Sequence, residues 1–163
     1  MDLARHTRYR IGGSAPRFGR PESRPALAAA LQDVSPHEVR VLGWGANVLV
    51  SDAGVDEPVI VLGGDFSYVN LGDCWIEAGA AAGLPTLVGE VRRAARADWS
   101  FLEAVPGSIG GGLRMNAGST DTGIWDRVVW AEAMTPAGET VRLTPEEAGP
   151  EYRSVAVSDA WVF

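Results

Sequence analysis

Residues 41–52 read VLGWGANVLVSD. Val41 and Leu42 start the way a buried β-strand starts, and Val48-Leu49-Val50 resume the same pattern. Gly43 and Gly45 cut the run, with a large indole, Trp44, between them. Glycine accepts positive φ and has no Cβ, so a ligand can come close to its backbone. Successive N–H groups in such a turn form a concave nest that attracts phosphate oxygens. A β-bulge or a plain tight turn would show the same pattern, and a single loop does not decide between them.

A second loop shifts the balance. Residues 105–119 read VPGSIGGGLRMNAGS. Pro106-Gly107-Ser108 marks a turn, and the serine hydroxyl suits the cap of a following helix. Gly110, Gly111 and Gly112 then open that helix, although each glycine costs about 1 kcal/mol relative to alanine. The loss makes sense if backbone must lie against something flat or anionic, with the positive end of a helix nearby. Asn116-Ala117-Gly118 follows, with an amide able to donate and accept. Two such loops in one small domain indicate a clamp on a diphosphate-containing cofactor. Neither has dinucleotide-fold or P-loop spacing: GWGANV has glycine at its first and third positions but not its sixth.

Around the loops the pattern is mixed α+β. RYRIGGSAPRF (8–18) reads as a strand broken by Gly12-Gly13, and residues 24–34 as a short helix with Pro25 in its first turn. Residues 39–43 and 58–64 read as buried strands, and 74–80 as a strand leading to Gly83, with Cys74 as a small core residue. Apolar spacing predicts a helix over 84–98. Residues 126–143 give the best hairpin pattern, turning at Thr135-Pro136-Ala137-Gly138. TPEEAG (144–149) predicts a capped helical turn with Thr144 as N-cap and Glu147 three residues on. DAWVF (159–163) begins another strand. A seam is expected near Gly63 to Gly72, and strict βαβ alternation is absent, so a doubly wound parallel sheet is not required.

The 163 residues suffice for one sizeable domain or two small ones sharing a core, and 46% hydrophobic with 21% charged is ordinary for a globular protein. No run approaches the ~18 apolar residues of a membrane span, and the first ten residues lack a signal-peptide core. These features and a single cysteine lead to the expectation of a cytoplasmic protein without membrane contact. A net charge of −7 argues against a general nucleic-acid binder, although residues 1–24 carry six arginines against Asp2 and Glu22. All 14 basic residues are arginine, which excludes lysine chemistry from this chain. His6 and His37 lack partners at ligand spacing, so no metal site is expected.

Four segments together resemble the UDP-N-acetylenolpyruvoylglucosamine reductase family: HTRYRIGGSAPRF (6–18), VLGWGANVLVSDAGV (41–55), AVPGSIGGGLRMNAGS (104–119) and EEAGPEYRS (146–154). The resemblance spans nearly the whole chain, in order. It implies an α+β FAD-binding domain of the vanillyl-alcohol-oxidase (PCMH) type, with subdomains over 1–66 and 67–163 and the flavin between them. Gly43, Trp44, Gly45, Ala46, Asn47 and Val48 would hold the pyrophosphate. Val105, Pro106, Gly107, Ser108, Gly110, Gly111 and Gly112, with Asn116, Ala117 and Gly118, would line the flavin. Trp44 departs from the small or polar residue usual there, and fits if its indole points to solvent; Ala46 replaces a usual serine.

In the family, hydride passes from NADPH through FAD to the enolpyruvyl carbon of a UDP-sugar, a step of peptidoglycan precursor synthesis. The arginine of the Tyr-Arg-Ser motif stabilises developing charge, so Arg153 inherits that catalytic role. The family's proton-donating serine and its glutamate belong to a third, C-terminal substrate domain with no counterpart in residues 1–163. Ser154 and Ser158 do not replace that serine, because they lie in or beside the arginine motif. The chain alone is therefore expected to be inactive. It reads as the FAD part of a reductase, with a non-catalytic flavin-binding module or one half of a split enzyme as the alternatives. His6 and Cys74 lie outside both loops, so the flavin is expected to be non-covalent.

Overall fold

Ser23 and Pro25 start the first helix as their chemistry requires: the serine hydroxyl accepts from Ala26 N, and proline fills the first turn. Helix α1 (Arg24–Gln32) presents Leu27 and Leu31 to the interior. It crosses over between strands β1 (Phe18–Gly19) and β2 (Arg40–Val41), which flank β3 (Val59–Ile60) in a parallel sheet of order β1-β3-β2. The computed structural model describes residues 1–34, 39–95 and 99–163. His37 and the last residues of the helix expected over 84–98 lie outside that range.

The second half begins with the antiparallel pair β4 (Val69–Leu71) and β5 (Ile76–Ala78). Helix α2 (Leu84–Arg93) follows, burying Leu84, Leu87, Val88 and Val91. Each such side chain contributes about 1.5–3 kcal/mol on burial, which makes α2 the spine of the larger core. Helix α3 (Ile109–Arg114) packs beside it, and Trp125 fills the space between, donating Nε1–H to Leu113 O at 2.9 Å. The expected hairpin forms as β6 (Ala131–Met134) and β7 (Thr140–Leu143), in register Ala131 opposite Leu143. Thr144 and Glu147 make the expected capping box on α4 (Pro145–Ala148), which Gly149 ends at φ 53°. Strands β8 (Pro150–Glu151) and β9 (Ser154–Val155) form a last, tight pair.

Among the described residues, three buried clusters hold the fold. One fills the second half; a small one holds Leu3, Ala15, Leu42 and Val59. The third joins Leu27, Leu31 and Ile60 to Met134 and Val162, across the expected boundary at 66/67. Among the described residues, no helix is long and apolar enough to cross a membrane.

Several expectations need correction. The strand expected over residues 8–18 is irregular until Phe18, where β1 begins: Gly12 sits at φ 122°, and Gly13 lies so close to Asp52 and Gly54 that a Cβ would meet their backbone. Val48-Leu49-Val50 forms no strand, and Leu49 is largely exposed. Val41 is also exposed, and Leu42 alone carries that strand's burial. Cys74 is exposed, because β5 begins only at Ile76. Of residues 159–163, only Val162 pairs, with Met134, through two backbone hydrogen bonds of 2.7 and 2.9 Å.

Candidate functional site

The two glycine-rich loops meet. Gly43 packs on Ser108 so tightly that a Cβ would stand 2.4 Å from the serine Oγ. Ser108 caps α3 as expected, accepting from Gly111 N at 3.3 Å. The second loop rides on the segment 80–84, which binds it through Leu84 N to Gly107 O, Ile109 N to Ala82 O and Gly110 N to Ala80 O, at 2.8–2.9 Å. Gly43, Trp44, Ser108, Gly110 and Gly111 line a common cavity of about 280 Å³.

The first loop has an unusual backbone. Among the described residues, none of the N–H groups from Gly43 to Val48 finds an acceptor in the protein. Most backbone donors in folded chains are paired internally or by water. A run of six unpaired donors, turned by Gly45 at φ 58°, is the concave nest that an oxyanion fills. Gly107 N and Ser108 N, on the second loop, also find no acceptor among the described residues.

The glycines divide by what their missing Cβ spares. At Gly45 a Cβ would stand 2.1 Å from His6 O and 2.8 Å from Thr7 Cα, so this glycine admits the N-terminal segment. Arg8 N donates to Gly45 O at 3.0 Å in the same contact. Gly112 faces Leu84, and Gly110 faces Ala80 and Phe163. Only Gly111 of the triplet opens outward: its sole near neighbour would be Ser108 Oγ at 3.3 Å. One member of Gly110-Gly111-Gly112 thus leaves room for a ligand, and the other two serve packing.

Asn116 sits at φ 40° and spends its amide on the protein, donating to Glu151 O at 3.0 Å and accepting from Trp125 N at 3.4 Å. Ala117 and Gly118 are buried beneath it, and a Cβ on Gly118 would collide with Thr122 O. Arg153 occupies the β8–β9 turn at φ 60° and donates to Gly118 O at 3.0 Å, with its guanidinium 5.1 Å from the Tyr152 ring centre. The structure therefore brings Arg153 to the rim of the second loop. Val105 and Pro106 lie on the same loop, and Ala46, Asn47 and Val48 complete the first.

Sequence reasoning missed Arg114. It closes α3, lines the cavity, and donates to Val157 O and Trp161 O beneath the Phe163 ring. An arginine two residues beyond a glycine triplet was the available clue. A larger concavity, about 1220 Å³, lies between β5 and β6 and reaches α1, but the glycine loops give it only Ile109 and Leu113. Size alone would favour it. The unpaired amides favour the smaller cavity, which falls below the ~300–1,000 Å³ typical of whole-ligand sites and so suits the central part of a long ligand.

The FAD binding domain family matches residues 16–144. The chain is 41% identical, over 99% of its length, to the UDP-N-acetylenolpyruvoylglucosamine reductase of Paramagnetospirillum magneticum, and 43% identical over 94% to that of Phenylobacterium zucineum. It spans about half of each relative, 53% and 52%. The crystal structure of the reductase from Thermus caldophilus superposes with a TM-score of 0.86 at 33% identity, covering 99% of this chain and 57% of that one. A Cu,Mo-CO dehydrogenase chain shares the fold at a TM-score of 0.65 and 14% identity. The chain belongs to the FAD binding domain family, in the form carried by the UDP-N-acetylenolpyruvoylglucosamine reductases.

Proposed function

We propose that this chain is the FAD-holding part of a reductase that passes hydride from NADPH to the enolpyruvyl group of a UDP-sugar. The unpaired N–H run from Gly43 to Val48 carries the reading. These donors take the diphosphate, while Val105 to Gly112 lie against the flavin end, with the open Cβ position of Gly111 leaving space for it. Asn116, Ala117 and Gly118 support that surface from beneath. The binding is non-covalent. FAD, when bound, supplies a two-electron carrier between a nicotinamide and the substrate double bond.

Arg153 is held by one N–H on Gly118 O and by the Tyr152 ring, and the residue remains exposed. Its other N–H groups are available to a carboxylate, in the planar fork that suits bidentate binding. A cation fixed this way favours negative charge that grows during reduction. The left-handed backbone at Arg153 is the strain that aims it. Ser119 and Ser154 lie next to Gly118 and Arg153 in the chain, and both are exposed. On this reading, the acid that completes the reaction lies instead in the part of the relatives' length that this chain does not span.

The diphosphate reading is tested by ligand discrimination. Purified protein is titrated with FAD, FMN and riboflavin, with flavin fluorescence as the readout. FAD should bind at least tenfold more tightly than the other two, since only it carries the bridging diphosphate. Equal affinity for all three would refute the assignment of Gly43 to Val48.

A further inference from the structure

A loop whose own amides are unpaired needs another source of order. Residues 43–48 have no internal backbone ladder, yet a nest binds an oxyanion well only when its N–H groups already converge. Two anchors are visible. Gly45 is fixed on one side by the His6–Arg8 backbone. On the other side, Trp44 extends its indole across to the second half of the chain. Its Nε1–H donates to Ala81 O at 3.1 Å, and its ring lies on Gly83, where a Cβ would stand 2.2 Å from Cη2 and 2.6 Å from Cζ2.

The place of attachment matters. Ala80 to Leu84 is the same segment that carries the second glycine loop by three backbone hydrogen bonds. One rigid strip therefore holds the second loop by its backbone and the first loop by the Trp44 side chain. An indole lying half-exposed across this strip differs from one that points freely to solvent, as the sequence had suggested.

We propose that Trp44 is a positioning residue for the cofactor, latching the first loop to the Ala81–Gly83 strip and so setting the gap that the diphosphate enters. The proposal rests on the FAD reading above. It acts through loop geometry, without requiring the indole to touch the ligand. Gly83 is the matching half of the latch. Its backbone, φ −79° and ψ 140°, suits any residue, so the indole is what demands glycine there.

The test uses both halves. Trp44→Ser removes the ring and its donor; Trp44→Phe keeps a ring over Gly83 but loses the N–H; Gly83→Ala pushes the ring away without touching the first loop. Dissociation constants for FAD, ADP and riboflavin are measured for each variant and for Trp44→Ser/Gly83→Ala, alongside melting of the ligand-free proteins. Trp44→Ser and Gly83→Ala should each weaken FAD and ADP on the order of tenfold, with Trp44→Phe in between. The double variant should be no worse than either single one, because both break one contact. Riboflavin binding should not change, since it has no diphosphate to position. Parent-like FAD affinity in Trp44→Ser, or additive losses in the double variant, would overturn the latch while leaving FAD binding intact. A parent protein that binds no FAD would instead overturn the functional reading. The latch is then decided by melting alone, where additive shifts in the ligand-free double variant refute it and non-additive shifts uphold it.

Discussion

Gly111→Ala should make the protein more stable and a worse FAD binder at once. Gly111 lies in the first turn of α3 at a backbone that alanine adopts, and exchanging glycine for alanine in a helix gains up to about 1 kcal/mol. Part of that is lost, because the new Cβ would meet Ser108 Oγ at 3.3 Å, tighter than an ordinary contact. The net gain lies between roughly zero and 1 kcal/mol, a rise in melting temperature of up to about 3 °C for a chain of this size. The same methyl points where no protein atom stands, into space assigned to the cofactor. It should weaken FAD at least tenfold, about 1.4 kcal/mol. Thermal melting at increasing FAD reads both effects, since a ligand that binds only the folded state raises the midpoint with concentration. The variant should start level with or above the parent and rise less. A variant that starts lower, or climbs as steeply as the parent, would refute the division of glycines into ligand-facing and packing types.

Gly45→Ala should do the opposite to stability. A positive φ of 58° and backbone atoms of His6 and Thr7 in the way of the Cβ should cost about 2–4 kcal/mol in chemical denaturation. Glu132 is partly desolvated, which raises its pKa, but hydrogen bonds from Arg24 and Arg142 outweigh this and hold it below the ordinary value. Its contribution is full above the normal carboxylate range and fades as pH falls through the lowered folded-state pKa. Glu132→Gln should therefore cost up to about 1 kcal/mol at neutral pH and flatten that part of the acid limb in melting against pH. Arg153→Lys should leave FAD affinity within about twofold and, on the reductase reading proposed above and in a protein of the relatives' full length, should slow substrate reduction without slowing flavin reduction by NADPH, because lysine lacks the two-donor fork. Cys74 should react with a thiol reagent in the native state as fast as in denaturant to within about tenfold, as an exposed thiol does.

The parts of the fold legible in sequence were those fixed by local chemistry. The β6–β7 hairpin carries its own turn residues, α4 its capping box, and α3 its Ser108 cap, so each could be read within a dozen residues. The misreadings share one cause. Residues 8–18 and 48–50 look like strands because their apolar residues belong near each other, and Gly13 N does bond Ser51 O at 2.8 Å. Their glycines, however, bring the two backbones too close for a regular ladder. For the site, the loops were legible as loops, but sequence could not say which glycines face a ligand. That depends on Leu84, Ala80 and His6, which are distant along the chain from the glycines they meet. The role of Trp44 was invisible for the same reason, since its partners lie 37 residues or more away.

The cluster that joins Leu27, Leu31 and Ile60 to Met134 and Val162 bears on how a dinucleotide gets in and out. Two lobes around a cofactor invite the picture of a hinge. Here the lobes share core, and Gln32 Nε2 also donates to Ala137 O at 2.7 Å while Arg24 pairs with Glu132. Swinging them apart would expose five buried side chains, on the order of 8–15 kcal/mol, comparable to the stability of an entire domain. Such opening would be nearly as rare as unfolding. Exchange of the cofactor must instead proceed at the rims, where residues 43–48 lack a backbone ladder and a local opening breaks fewer contacts. The frame keeps its shape, and the dissociation rate belongs to a few residues at its edge.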